Sequence, residues 1–241
     1  MSNFLSQLFI SPLEFFKKVF LKTIFLPLKY GKGQDYKAED YWRDRFQKYN
    51  ISIKGVGCEG LSEEENWKAR QKVLKTLGDV CSQENIQFSK LRVLEVGCGS
   101  GFYATYLKSK GVIDFTGIDI TNALFEQLKI KFPDYQFLQQ DITTNAVSGQ
   151  YDFVLMMDVI QHIVQEEKLL SALNHIRNCL KPGGLFIVAP LTKVSRRYLF
   201  HVHSWSMERI NMAFGPDYVK KFIPFRKGDS LAIIKKQNHK L

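Results

Sequence analysis

Leu91 to Tyr103 reads L-R-V-L-E-V-G-C-G-S-G-F-Y. Val93, Leu94 and Val96 make a short, nearly unbroken apolar run, the pattern of a parallel strand buried on both faces. Glu95 interrupts it, and Gly97, Gly99 and Gly101 then alternate with Cys98 and Ser100. Glycines at the end of a strand permit a sharp turn and a close backbone approach to a ligand. Phe102 to Lys110 has helix-forming composition, so the free N–H groups of its first turn point into that loop. The segment predicts a strand, a loop and a helix that together cradle a nucleotide-like cofactor. A dinucleotide loop, G-x-G-x-x-G, needs its last glycine where Phe102 stands, so the pyrophosphate pattern is incomplete.

Further strands follow in order. Phe115 to Ile120 (F-T-G-I-D-I) ends in Asp119, and an acidic group about 20 residues beyond such a loop can hold a ribose hydroxyl pair. Tyr135 to Ile142 ends at Asp141. Tyr151 to Asp158 is a fourth strand, followed by Val159-Ile160-Gln161-His162. Leu180-Lys181-Pro182-Gly183-Gly184 forms a turn before a fifth, Leu185 to Ala189. Asp152 and Asp158 also read simply as caps of the fourth strand and the next helix. An acidic residue opening a G-x-G-x-G loop, with these elements in this order over residues 85–190, resembles the class I S-adenosylmethionine-dependent methyltransferases, of the small-molecule, type 11-like kind.

That resemblance implies a Rossmann-like α/β fold. Its doubly wound, seven-stranded, mostly parallel sheet would end in an antiparallel strand, with extra helices at the N-terminus. Val219 to Phe225 and Ser230 to Lys236 supply the final pair, joined by the short hairpin loop Arg226 to Asp229. S-adenosyl-L-methionine is the implied cofactor. The implied binding residues are Glu95, Gly97, Cys98, Gly99 and Gly101 in the loop, Asp119 with Ile120, Asp141 with Ile142, and Met157. Asp141 would meet the adenine amino group. Cys98, small and set between glycines, is expected to fill space rather than react.

The 241 residues suit one domain with appendages, and 45 % apolar content is ample for one core. The expected parts are an N-terminal helix with linker (1–34), a helical cap (35–84) and a methyltransferase domain (85–241). Residues 190–218 are an insertion on the substrate side of that domain. Cys58, Cys81, Cys98 and Cys179 are scattered without a C-x-x-C pair, so no metal centre is expected and a reducing, cytoplasmic setting fits. The first ten residues lack a basic region, and no cleavable signal is expected. The net charge is +10. The last fifty residues are especially basic, which suits an anionic partner or a solvated basic face.

Ser11-Pro12-Leu13-Glu14 carries a capping serine, a first-turn proline and a glutamate three residues after the cap. The apolar residues from Phe15 to Leu26 then surround a narrow strip of Lys17, Lys18 and Lys22. These lysines interrupt any run of the roughly 20 apolar residues a spanning helix needs. Residues 11–29 therefore suit contact with a membrane surface, a lid over a pocket, or packing on a partner. Ala38 to Lys48 reads as an aromatic helix. The resemblance implies that such a segment closes over the cofactor, with Tyr41 and Arg45 as candidates for its carboxylate; the alternative is a surface helix that buries Trp42. Ser62 and Glu65 mark a second capping box, opening a helix to about Leu77.

On the substrate side, Ser195 to Trp205 mixes Arg, His and aromatic residues, and a helix from Ser206 to Phe214 follows. Arg197, His201 and His203 are the candidate acceptor-binding residues, the two histidines sharing a face if extended. His162 is the candidate general base, with Asp158, His201 and His203 in reserve, and it also reads as a structural residue at a helix start. Methyl transfer would then reach a small-molecule, glycan or lipid-linked acceptor, an anionic one included. Nucleic acid is disfavoured because the fourth strand runs Met157-Asp158-Val159-Ile160 instead of an N/D-P-P-Y/F/W motif, and no cysteine follows a proline. The competing readings are a binding protein that keeps the fold without turnover and a nicotinamide-dependent oxidoreductase.

Overall fold

The computed structural model describes residues 12–58, 60–226 and 228–238. Its strands are β1 (Arg92–Val96), β2 (Asp114–Asp119), β3 (Gln136–Gln139), β4 (Tyr151–Met157), β5 (Leu180–Leu191), β6 (Arg196–Leu199), β7 (Val202–Ser204), β8 (Tyr218–Pro224) and β9 (Ser230–Lys236). Seven of them form one sheet in the order β3-β2-β1-β4-β5-β9-β8, while β6 and β7 pair separately as a hairpin. Strands β1 to β5 pair in parallel. β9 is antiparallel to both β5 and β8, so it alone runs against the sheet. The chain leaves β1 toward β2 on one side and returns through β4 on the other, and such a switch point opens a crevice beyond the strand ends.

Before the sheet come α1 (Pro12–Phe20), α2 (Leu26–Tyr30), α3 (Ala38–Tyr49), α4 (Ile53–Val56) and α5 (Glu63–Gln83). Then α6 (Phe102–Ser109) follows β1, α7 (Phe125–Lys131) follows β2, α8 (Glu166–Cys179) precedes β5, and α9 (Met207–Ala213) precedes β8. Successive strand residues point to opposite faces, so each strand feeds two cores. Val93, Phe115, Phe153 and Ile187 pack on one face with Val73 and Leu77 of α5 and Leu107 of α6. Leu94, Ile118, Val154 and Val188 pack on the other with Leu169, Leu173 and Ile176 of α8.

The capping box at α5 is present in both directions: the Glu65 N–H donates to the Ser62 hydroxyl at 3.2 Å, and the Ser62 N–H to the Glu65 carboxylate at 2.8 Å. This helix continues past Leu77 because Val80 and Cys81 extend its buried face. The first helix also outruns its expected end. A π-helical turn, Leu21–Phe25, precedes Pro27, and α2 carries on to Tyr30. Proline lacks an N–H and its ring crowds the carbonyl four residues back, and a widened turn relieves both. The cap expected at Ser11 lies outside the described residues. The turn expected at Leu180–Gly184 is instead a bulge within β5, with the register shifting between Tyr151↔Leu180 and Phe153↔Leu185.

Leu77 is fully buried among side chains of the sheet. Leu77→Ala is expected to cost about 2–5 kcal/mol in urea unfolding and to leave a single transition, because α5 and the sheet share one core. A separate early transition for α5 would contradict this.

Candidate active site

Beyond the carboxyl ends of β1, β2 and β4 lies a cavity with about 1050 Å³ of empty space, part of it open to solvent. The sheet rim supplies Glu95, Gly97, Cys98, Gly99, Asp119, Ile120, Asp141, Ile142, Met157, Asp158 and His162 to its wall. Ala38, Trp42 and Phe46 of α3, Val56 of α4 and Arg70 of α5 close it from above.

The loop after β1 is bent by Gly97, Gly99 and Gly101, at φ +74°, +48° and +72°, a region L side chains rarely enter. The Gly97 and Cys98 N–H groups donate to the Ile118 carbonyl at 2.7 and 3.0 Å, tying the loop to β2. The glycines also answer to the protein's own packing. A Cβ on Gly97 would collide with Val159, and one on Gly99 would stand 2.9 Å from the Val56 side chain in the roof. Gly101 departs from its expected role. It is absent from the cavity wall, and a Cβ there would meet Leu128 at 2.6 Å, so it seats α6 against α7.

Asp119 is 7 % exposed. Its Oδ2 accepts the Gly99 N–H at 2.9 Å and its Oδ1 the Thr121 N–H at 3.2 Å. Burial raises its pKa to about 6, against the lowering effect of those donors. Each carboxylate oxygen has two acceptor directions, so this one retains capacity for a pair of hydroxyls. Glu95 is also buried, and its Oε2 has no partner. Desolvation and the nearby Asp119 push its carboxyl well up, with Arg70 opposing them. An orphaned acceptor facing a cavity is a place for a ligand donor. Asp141 Oδ1 accepts the Thr143 N–H at 2.8 Å, and the buried Thr143 hydroxyl, also in the wall, has no partner. Burial holds the Cys98 thiol far above its ordinary range, which leaves it protonated and inert.

His162 donates through Nδ1 to the His201 carbonyl at 2.9 Å, and its ring stands edge-on to Trp42 with centroids 4.8 Å apart. Burial lowers its pKa to about 4, so the imidazole is neutral near pH 7 and its Nε2 carries a lone pair. The Gln161 side-chain amide approaches that nitrogen at 3.3 Å.

Asp158 lines the cavity, but its carboxylate is engaged. It is paired with Arg226, accepts the Tyr103 hydroxyl at 3.2 Å and lies 3.9 Å from the Arg70 guanidinium. With these three partners the carboxylate braces the end of β4 against the roof, in place of the expected catalytic part. Tyr41 and Arg45 do not reach the cavity wall. Tyr41 is buried among Tyr30, Tyr36 and Phe200, and Arg45 donates to the carbonyls of Lys54, Gly55 and Gly57. Arg197, His201 and His203 also lie outside the wall. Arg197 donates to the Val164 carbonyl at 3.2 Å. His201 stacks toward Tyr41 while His203 lies flat on Trp205 at 3.9 Å, so the two histidines serve different neighbours.

The sequence reading missed Arg70. It is 6 % exposed, donates to the Val56 carbonyl at 2.6 Å and covers the Phe102 ring at 4.8 Å. A signal was present: Asn66, Arg70, Val73, Leu77 and Val80 follow one another at helical spacing on the buried face of α5, and a cation there needs a reason.

Because burial favours the neutral Asp119 carboxyl, the folded protein holds a proton that the unfolded chain releases between pH 3.8 and about 6. Its contribution to stability is full below 3.8 and lost as pH rises through 6. Asp119→Asn is therefore expected to remove about 2–3 kcal/mol of pH dependence from that interval, measured as urea unfolding at pH 4 and 7. Parallel curves for the two proteins would refute the assignment.

A methyltransferase-domain family matches residues 93–184. Among curated relatives, the ubiquinone biosynthesis O-methyltransferase of Rickettsia typhi is 31 % identical over 119 residues, covering 47 % of this chain and 46 % of that one. The protein of the same description from Acinetobacter baylyi is 26 % identical over 140 residues, covering 55 % and 52 %. The chain spans about half the length of the curated relatives it matches. Among solved structures, magnesium protoporphyrin IX methyltransferase of Synechocystis superposes with a TM-score of 0.62 at 16 % identity, covering 83 % of this chain and 98 % of that one. The amino pentose methyltransferase of Micromonospora echinaspora gives 0.58 at 14 %, covering 72 % and 96 %. At such identities the likeness is one of fold. The domain match falls across the strands that carry the glycine loop and the rim residues Glu95, Asp119 and Asp141, and with the shared fold it supports an S-adenosylmethionine-dependent methyltransferase.

Proposed function

We propose that this chain transfers a methyl group from S-adenosylmethionine to a hydroxyl oxygen of a small-molecule acceptor. The observation that carries the choice of oxygen is the neutral His162 in the cavity wall, oriented through Nδ1 by a backbone carbonyl. The curated relatives, described as O-methyltransferases of ubiquinone biosynthesis, support the same atom. Trp42, Phe46 and Tyr36 give the cavity aromatic surfaces suited to a planar, apolar acceptor.

The residues present fit the cofactor. Asp119 retains acceptor capacity for the ribose hydroxyls, Asp141 and Ile142 suit the adenine, and the unpartnered Glu95 oxygen suits the amino group. The wall holds two cations, Arg70 and Lys168, and the buried Arg70 suits the carboxylate, the part first expected of Arg45. When bound, the cofactor supplies a methyl on a sulfonium, whose departure leaves a neutral thioether and needs no acid. The chain's task is alignment and exclusion of water, which can supply most of the acceleration. The acceptor hydroxyl replaces the Gln161 contact at His162 Nε2. That nitrogen takes the hydroxyl proton as the oxygen–methyl bond forms, while the Nδ1–H remains on the His201 carbonyl.

His162→Ala is expected to lower turnover about 100-fold or more and to leave S-adenosylhomocysteine affinity within about twofold in calorimetry, because base catalysis and cofactor binding use different residues. Unchanged turnover would remove His162 from the reaction. Because His162 stays neutral down to about pH 4, the rate–pH profile should show no histidine limb near its ordinary 6.5. Arg70→Gln should weaken S-adenosylhomocysteine binding about tenfold and leave methylthioadenosine, which has no carboxylate, bound as before. Equal losses for both ligands would mean a general structural fault. Incubating labelled cofactor with cell extract, then separating aqueous and lipid fractions, identifies the acceptor class. A folded protein giving no heat with S-adenosylhomocysteine would overturn the reaction.

A further inference from the structure

The helical run 12–30 is held to the protein at its last turn and exposes apolar side chains before it. Leu26 and Tyr30 pack into a cluster with Tyr36, Tyr41, Val164 and Phe200. Facing away are Leu13, Phe20, Ile24 and Leu28, from 47 % to 81 % exposed and placed on one face by spacings of seven and four residues. So much contiguous apolar surface on one helix marks an interaction site.

Two features identify the occupant. The first is charge. Lys32 and Lys37 are exposed beside the run, and Lys22 is partly so. Residues 12–37 carry six lysines against two acids, Glu14 and Asp35, while Asp40 pairs with Arg43 and Asp44 with Lys29, so the region presents positive potential. The second is the adjoining β6–β7 hairpin, whose Phe200 joins the same cluster and whose Arg197 guanidinium comes 3.5 Å from the place of a Gly33 Cβ. Its other face exposes Lys193, Val194, Arg196 and Tyr198, again cations alternating with apolar groups. Apolar side chains bordered by lysine and arginine complement the interface of a bilayer bearing negative headgroups. Among the described residues no helix is long and apolar enough to cross a membrane, so the run would lie in the surface plane.

We propose that residues 12–30 and the outward face of the β6–β7 hairpin seat this protein on an anionic lipid bilayer. Because the anchoring cluster also contributes Tyr36 and Val164 to the cavity wall, docking brings the cavity close to the lipid, and the acceptor is a hydroxyl compound with an apolar tail. This last step rests on the methyl-transfer reading.

The full chain is mixed with vesicles of phosphatidylcholine alone or with added phosphatidylglycerol, and bound protein is recovered by flotation. Flotation with the anionic vesicles, weakened by salt, is expected. Phe20→Glu with Ile24→Glu should reduce it by about tenfold or more, and Lys22→Glu with Arg196→Glu by a similar factor. Both variants should bind S-adenosylhomocysteine like the parent protein, which shows that they fold. Failure of the parent protein to float, or variants that float equally well, would overturn the docking. So would a dimer that becomes monomeric on Phe20→Glu without any lipid binding, because the face would then belong to a second copy. Flotation by a protein that gives no heat with S-adenosylhomocysteine would support docking and overturn the reaction alone. Labelled methyl recovered in the aqueous fraction would overturn the lipid-borne acceptor.

Discussion

Asp119 and Gly99 meet at 2.9 Å across the ends of two neighbouring strands, and the site is organised around that contact. The carboxylate is almost removed from water, a costly position unless N–H donors surround it. Those donors come from the backbone of the β1 loop and of β2's own exit, so the loop can satisfy the acid only in its left-handed, glycine-dependent bend. The same bend sets the start of α6 at the cavity, where Glu95 of β1 also faces. Loop, acid and cavity therefore depend on one another.

The roof is joined to the rim by charge as well as by packing. Arg70 descends from α5 with its guanidinium over Phe102 and near Asp158, while Arg226 reaches the same carboxylate from the β8–β9 loop. A buried cation is tolerable only where anions and carbonyls meet it, so Arg70 fixes the distance between the helical layer and the end of β4. Val56, pressed on Gly99, adds a steric stop. The cavity's height follows from these two contacts.

The wall around His162 is built differently, from backbone. The 190–218 segment holds His162 through the His201 carbonyl, and Trp205 donates its indole N–H to the Ile163 carbonyl at 2.8 Å. The histidine and tryptophan side chains of the segment serve mainly to pack it against α3 and the turn after β4. Its sequence can vary in chemistry while its main chain still orients the imidazole.

The sequence by itself determined the seven strands of the main sheet and the rim carboxylates, because buried strands and glycine loops are local patterns that the period of the chain reveals. Glu95, Asp119 and Asp141 were legible for that reason, each ending or nearly ending an apolar run. The sheet's arrangement came from a family resemblance, and the β6–β7 hairpin was not foreseen. Only the tertiary structure decided which buried cation stands in the cavity wall. Tyr41 and Arg45 looked suitable in an aromatic helix, yet α3 turns them into the cluster with Tyr36 and onto the α4 carbonyls. Arg70, distant in sequence and hidden among leucines and valines, arrives instead. The choice between them depends on how two helices cross the sheet, and a helix's rotation about its axis is set by what it packs against, which no local pattern records.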